Sequence, residues 1–311
     1  MRALVVDHSA EAHLTFAEVP DPDPASNEAV IKVEAISLNS GEIKRSTLPA
    51  TPDGSVLGYD AAGVVVRAAS DGSGPAVGAR VITLGAKGAW AQFRTVPTHS
   101  IGTVPEGADL GAVSTIPVAG TTALLTLRRL GQTLGRRVLI TGASGGFGRY
   151  AVQLAARSGA EVVAITGDPA QADGLRALGA HEVLPDPAKV DQPVFGVLDG
   201  VGGPQMVAAF GAMHAGGKLI SIGHAAMAES NFEYGAFLSI DGRHDRSIQI
   251  FNVIAEAATG VSRELTWLAA ETAAGRLDPQ ITWRTDWSKY AEAIGALVSR
   301  RLHGKAVLDV S

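Results

Sequence analysis

RVLITGASGGFGRYAVQLAARSGAEVVAIT, residues 137–166, joins two short apolar runs through a cluster of glycines and a stretch of helical periodicity. The runs at 137–142 and 161–166 suit buried strands, and the segment between them suits a helix. Gly142, Gly145, Gly146 and Gly148 stand where the first strand turns into that helix. A βαβ turn of this kind needs glycine for two reasons: its φ angles are closed to other residues, and a side chain would hold the backbone away from a pyrophosphate. The diphosphate of a dinucleotide then rests on free N–H groups at the helix N-terminus. Ser144 is placed to hydrogen-bond a phosphate oxygen. Because it precedes the glycine pair, it makes no GxSxG elbow and does not suggest a hydrolase. Taken alone, the glycine string is equally a turn without a ligand; the strand before it and the helix and strand after it favour dinucleotide binding.

The same alternation continues downstream. EVL (182–184), FGVLDG (195–200), KLISIG (218–223) and SIQIF (247–251) read as four more strands, making six, the count of a complete dinucleotide-binding sheet. Upstream, ADLGAVSTIPVAGTTALLTLRRLG (108–131) is helical in texture. Before it, ALVV (3–6), AVIKVEAI (29–36), AAGVVVRA (61–68), ARVITL (79–84) and AWAQFRTV (89–96) are short strands broken by Pro, Asp and Gly turns, the pattern of a small β-barrel. A helix near 261–275, ITW (281–283), an amphipathic helix at 287–304 and KAVLDV (305–310) close the chain and are expected to return to the first domain. The expected division is therefore 1–114 with 256–311 for one domain and 115–255 for the other, a size that suits two cores.

Composition removes several classes of function. The chain has no cysteine, so disulfides, thiolate nucleophiles and cysteine-held metals are absent. Its eight histidines show no HExxH and no i, i+4 pairing, and no metal site is expected. A net charge of −5 without a basic cluster argues against nucleic acid and anionic membranes. With no export signal and no apolar run of the roughly 18 residues that a spanning helix needs, a cytoplasmic location is expected.

The coenzyme is read at the end of the second strand, where NAD-specific folds offer a carboxylate to the ribose 2′-hydroxyl. That position is Thr166, which leaves room for a 2′-phosphate and favours NADPH over NADH. Asp168 close by and the lack of a basic residue before Arg176 oppose it, so the expected preference is modest.

Read in order, SLNSGEIK (37–44), LGYDAAGVV (57–65), GARVITL (78–84), PVAGTTAL (117–124), TGASGGFG (141–148), VLDGVGG (197–203), GGKLISIG (216–223) and HGKAVLDV (303–310) resemble the medium-chain dehydrogenase/reductase superfamily almost end to end. Within it they are most similar to the zinc-free quinone oxidoreductase and enoyl reductase branch. The resemblance implies an α/β fold with a GroES-like β-barrel substrate domain, an inserted six-stranded Rossmann domain and a cleft between them. It also implies cofactor contacts from Thr121, Gly142, Ser144, Gly145, Gly146, Phe147, Gly148, Thr166, Gly223, Phe251 and Asn252. Phe251 reads more readily as core, and His224, at the carboxyl end of a strand, reads more readily as a surface or turn residue than as one lining the cleft. Dimerisation through the outer Rossmann strand is implied too, and SIQIF supplies an apolar edge for it.

In the zinc-dependent members, Cys, His–Glu and Cys hold the metal; Asn39, Tyr59–Asp60 and Pro117 occupy those places here. Without zinc to polarise a carbonyl, substrates already activated by conjugation are favoured: quinones, enones and enoyl thioesters. Asn39 reads either as a hydrogen-bond donor to a developing enolate or as a helix cap. Tyr59 reads either as a donor to substrate or as packing, with packing slightly favoured. The expectation is an NADPH-dependent reductase of an activated C=C bond or quinone. The alternatives are a zinc-free carbonyl reductase or alcohol dehydrogenase and a non-catalytic NADPH-binding sensor or scaffold.

Overall fold

A computed structural model describes residues 1–238 and 242–311. The chain begins with β1 (Arg2–Val6), β2 (Leu14–Glu18), β3 (Glu28–Ser37), α1 (Ser40–Ser46), β4 (Asp60–Arg67), β5 (Arg80–Leu84), β6 (Phe93–Pro97), β7 (Ile101–Thr103) and α2 (Leu110–Val113). α3 (Ile116–Leu130) leads to β8 (Arg137–Ile140), α4 (Gly146–Arg157), β9 (Glu161–Ile165), α5 (Ala172–Ala177), β10 (Glu182–Leu184), β11 (Val194–Asp199), α6 (Gly203–Gly211), β12 (Met213–Ser221) and β13 (Ser247–Ile250). The last segment holds α7 (Val253–Thr259), α8 (Ser262–Ala273), β14 (Ile281–Asp286), α9 (Tyr290–Val298) and β15 (Lys305–Asp309). Two compact units result: Met1–Thr121 with Val253–Ser311, and Thr122–Asn252. No loop marks the first crossing, because α3 runs through it. No helix among the described residues is long and apolar enough to cross a membrane.

The first unit is built on β3. Its first half pairs with β6, its second half with β15, and β4 follows most of its length. Two register shifts against β4 give it the bends that serving three neighbours requires. β5, β7 and β14 complete a seven-stranded sheet, antiparallel except where β14 meets β15. Ala29, Ile31, Val65, Val81, Val96 and Ile101 fill one core, while Trp90, Trp287, Ile36, Leu57 and Leu308 fill another.

Three strands here depart from expectation. β2 forms a hairpin with β1 that the pattern did not signal, because the chain reverses through Ala12 and His13 at positive φ without Gly or Asn. β7, three residues long, was not among the expected strands. The strand expected at 89–96 is regular only in β6; before it, the carbonyls of Trp90 and Gln92 accept single bonds from Leu4 and Val33.

The second unit is a six-stranded parallel sheet in the order β10–β9–β8–β11–β12–β13. Val138, Leu139 and Ile140 of central β8 are wholly buried, as both-face coverage by helices demands. Chain order reverses between β8 and β11, and at such a switch point ligands bind beyond the carboxyl ends of the strands.

Candidate active site

At the carboxyl end of β8 the three spaced glycines separate by role. Gly142 takes a φ of +62°, which L side chains rarely adopt. Gly148 has no room for a Cβ, which would lie 2.3 Å from the Gly142 carbonyl oxygen and 2.5 Å from Ala143 Cα. It seats α4 against the turn. Gly145 differs from both: its φ of −79° suits any residue, it is exposed, and a Cβ would meet only the Gly142 oxygen at 3.4 Å. The absent side chain leaves open space above the turn. α4 starts there without a side-chain cap, so its first N–H groups are available to an anion. These residues fit a pyrophosphate.

The other expected contacts in the second unit follow the carboxyl ends of β8, β9, β12 and β13, while Thr121 ends the first segment of the first unit. Ser144, Gly146 and Phe147 are partly exposed in the turn and the start of α4. Gly223 follows β12 and cannot carry a Cβ, which would lie 2.8 Å from the Gly200 oxygen. Phe251 is buried, bonded through its N–H to Ser221, with the Arg129 guanidinium 4.6 Å over its ring, while Asn252 is exposed. Thr121, in α3, buries a hydroxyl that has no hydrogen-bond partner among the described residues. Asp199 had no role in the sequence reading. It is fully buried, accepts the Thr141 hydroxyl at 2.5 Å and the N–H groups of Val201 and Gly202, and thereby holds the turn after β11.

Thr166 is buried just past the end of β9. Its hydroxyl lies 3.3 Å from the Ser144 hydroxyl and 3.3 Å from the N–H of Asp168. Arg149 of α4 reaches the same place, a convergence that its sequence position did not show. Its Nε donates to the Ser144 carbonyl at 3.0 Å and its Nη2 to Gln171 Oε1 at 2.7 Å.

In the first unit, Asn39, Glu42, Asp60, Arg94 and Lys305 form a polar cluster in which all but Asn39 are buried. Asp60 Oδ1 accepts the Val118 N–H; Oδ2 accepts the Ser37 hydroxyl at 2.6 Å and the Asn39 amide at 2.8 Å. Lys305 Nζ donates to Asn39 Oδ1 at 2.7 Å and stands 3.5 Å from Asp60 Oδ2. Both ends of the Asn39 amide therefore have partners. Glu42 accepts the N–H groups of Asn39 and Tyr59, at 2.8 and 2.6 Å. Burial, and then the charge of Asp60, push its carboxyl up to about 8. Burial lowers Arg94 to about 10, leaving it charged at neutral pH while it donates to the carbonyls of Tyr59 and Lys87.

Tyr59 is thus clamped at both backbone atoms, and its ring lies beside Gly41, where a Cβ would be 3.6 Å away. Its phenol is half-buried. Burial and the charge of Glu42 raise its pKa, and the guanidinium of Arg45 pulls it back.

The family model for the alcohol dehydrogenase GroES-like domain matches residues 25–106, and that for zinc-binding dehydrogenase matches 178–308. Over 254 residues, 73% of the chain, the sequence is 31% identical to acrylyl-CoA reductase AcuI of Ruegeria pomeroyi and covers 75% of it. The chain belongs to the medium-chain dehydrogenase/reductase family. Like its members it is an oxidoreductase that uses a nicotinamide coenzyme. It is also 33% identical over 208 residues to the chloroplastic quinone-oxidoreductase QR1 of Triphysaria versicolor, spanning 60% of that protein. The quinone oxidoreductase of Coxiella burnetii has the same fold, with a TM-score of 0.85, 24% identity and 100% and 99% of the two chains covered.

The zinc in that family description does not fit these residues. Asn39, Tyr59 and Pro117 offer no thiolate or imidazole, both Asp60 oxygens are engaged in hydrogen bonds, and the Lys305 ammonium stands against them.

Proposed function

We propose that the protein reduces an activated C=C bond or a quinone with NADPH. The observation that carries this reading is Lys305. Its ammonium lies against the oxygens of Asn39 and Asp60, so the group that could polarise a simple carbonyl through a divalent cation is replaced by a saturated ion cluster. Acceptors that need no such activation remain: enones, enoyl thioesters and quinones. Similarity to an acrylyl-CoA reductase and to a quinone oxidoreductase supports the same class.

When bound, the coenzyme supplies hydride to the electrophilic carbon. The chain's part is to hold the acceptor's oxygen while charge gathers there, and to protect or deliver a proton. Tyr59 is the group for this, because its phenol stays protonated at neutral pH and is steadied from both sides of its backbone. Asn39 acts as a positioning residue, since its amide is spent on Asp60 and Lys305. The expected cofactor contacts Gly145, Gly146, Ser144 and Thr166 hold the diphosphate and adenosine end. We include in the proposal a homodimer joined through β13.

Quinones, enones and enoyl thioesters assayed with NADPH and NADH in parallel test this reading. C=C or quinone products are expected, with activity unchanged in chelator and no stoichiometric zinc. Bound zinc, or turnover confined to simple aldehydes and ketones, would overturn it. Tyr59→Phe should lower kcat by about 10²-fold while the Kd for NADPH holds. Thr166→Asp should reverse a preference for NADPH that is on the order of tenfold in kcat/KM, or about 1.4 kcal/mol.

A further inference from the structure

We infer that Arg149, with Gln171 as its partner, is the residue that distinguishes a 2′-phosphate from a 2′-hydroxyl on the coenzyme's adenosine ribose. The inference rests on the proposed NADPH reading and names the group that would make it true.

In a Rossmann unit the ribose is read beyond the end of the second strand, here β9, where an arginine accommodates a 2′-phosphate. Thr166 marks that place. No basic residue precedes Arg176 in the chain beyond it, and Arg176 is engaged with Asp173, its own neighbour on α5. The cation arrives from the other side of the turn. Arg149 lies one residue beyond Gly148 in α4 and is 7% exposed. Through the Ser144 carbonyl it is fixed to the residue whose hydroxyl meets Thr166. Through Gln171 it reaches the loop after β9, where Gln171 Nε2 donates to Asp168 Oδ2 at 3.1 Å.

One small network thus joins the phosphate turn, the end of β9 and the segment before α5, with a guanidinium in its middle. Gln171 is partly exposed and stands on the outer side of the pair. A dianionic phosphate beside Thr166 can take over the Gln171 oxygen's place on Arg149, and a turned Gln171 amide then donates to it. The Asp168 carboxylate also accepts the N–H of Ala170 at 3.0 Å, which holds it to the turn but leaves a negative charge nearby. An arginine opposed by one carboxylate accounts for a moderate preference instead of an absolute one.

Adenosine 2′,5′-bisphosphate and 5′-AMP separate this contact from catalysis, because neither carries a nicotinamide. Calorimetric titration of the full chain should show the bisphosphate bound about tenfold more tightly. The advantage should shrink below about pH 6, where the 2′-phosphate loses its second charge. Arg149→Gln should bring the two ligands within about twofold of each other while 5′-AMP affinity holds, and Arg149→Lys should restore part of the difference. Equal weakening of both ligands in Arg149→Gln would mean that Arg149 only braces the turn, and an undiminished preference would mean that another group reads the phosphate; either overturns the inference and leaves the NADPH reading intact. A wild type that binds both ligands equally would overturn the NADPH reading itself. If Arg149→Gln fails to fold, Gln171→Glu on the outer side places a carboxylate against the guanidinium and should abolish the preference; a preference that persists there refutes the assignment.

Discussion

Gly145 and Gly148 make opposite demands on a side chain, although three residues separate them. Valine at 145 meets an allowed backbone and open space, so Gly145→Val should fold with a stability loss of about 1 kcal/mol from the poorer cap. It should weaken NADPH binding by at least about tenfold, because its methyls fill the volume a pyrophosphate would enter. Alanine at 148 drives a Cβ into backbone on two sides and should cost about 1–3 kcal/mol or more of stability. Chemical denaturation and fluorescence titration of both variants test the pair; a folded Gly145→Val chain with undiminished affinity would move the diphosphate elsewhere. The need for glycine in this turn was legible from spacing alone. Which glycine borders open space and which closes on backbone was not, because that depends on how closely α4 approaches the turn after β8.

α1 and the start of β4 are held together by Glu42, whose two oxygens tie Asn39 to Tyr59. Its carboxyl titrates near 8 in the folded chain against an ordinary 4.5, so the folded state binds the extra proton between those values. Stability from this group is complete below about pH 4.5 and falls as pH rises towards 8. Urea unfolding across pH 5–8 should show that decline in the wild type. Glu42→Gln should begin lower, because its amide nitrogen faces a backbone N–H, and should follow a flatter course; parallel curves would assign the slope to another group. Sequence marked Asn39 and Tyr59 but gave Glu42 no part. Its spacing from Asn39 is a capping-box pattern, which was the available signal.

For the molecule as a whole, the open edge of the six-stranded sheet is the feature that bears on assembly. Among the described residues β13 pairs only with β12, and Ile250 is 83% exposed on it. An apolar unpaired edge of this kind favours strand pairing with a second copy. Light scattering at micromolar concentration should give the mass of two chains, and Ile250→Lys should give that of one. A monomeric wild type would mean that the edge is protected by its own chain. SIQIF was expected at the edge from the family resemblance, and the sheet order has β13 there; the exposure of Ile250 followed only from the packing.

What residues 137–166 and the strands around them specify is local: apolar runs, their spacing and the glycine turns are properties of short windows. They were enough to indicate a parallel six-stranded sheet following a set of antiparallel strands, and the glycine turn proposed to hold a dinucleotide. Side chains that meet across long separations follow from topology. Lys305 reaches Asn39 over 266 positions and Asp60 over 245, and no periodicity records such a meeting. Arg149 lies upstream of β9 yet bonds to Gln171 in the loop beyond it, a meeting that the residues following Thr166 do not record. β2 stayed hidden because its turn uses Ala12 and His13 at positive φ, a conformation that surrounding contacts impose and these residue types do not advertise. Local geometry is written in neighbouring residues, whereas charge pairing and cofactor selectivity arise where the folded chain brings distant ones within hydrogen-bonding distance.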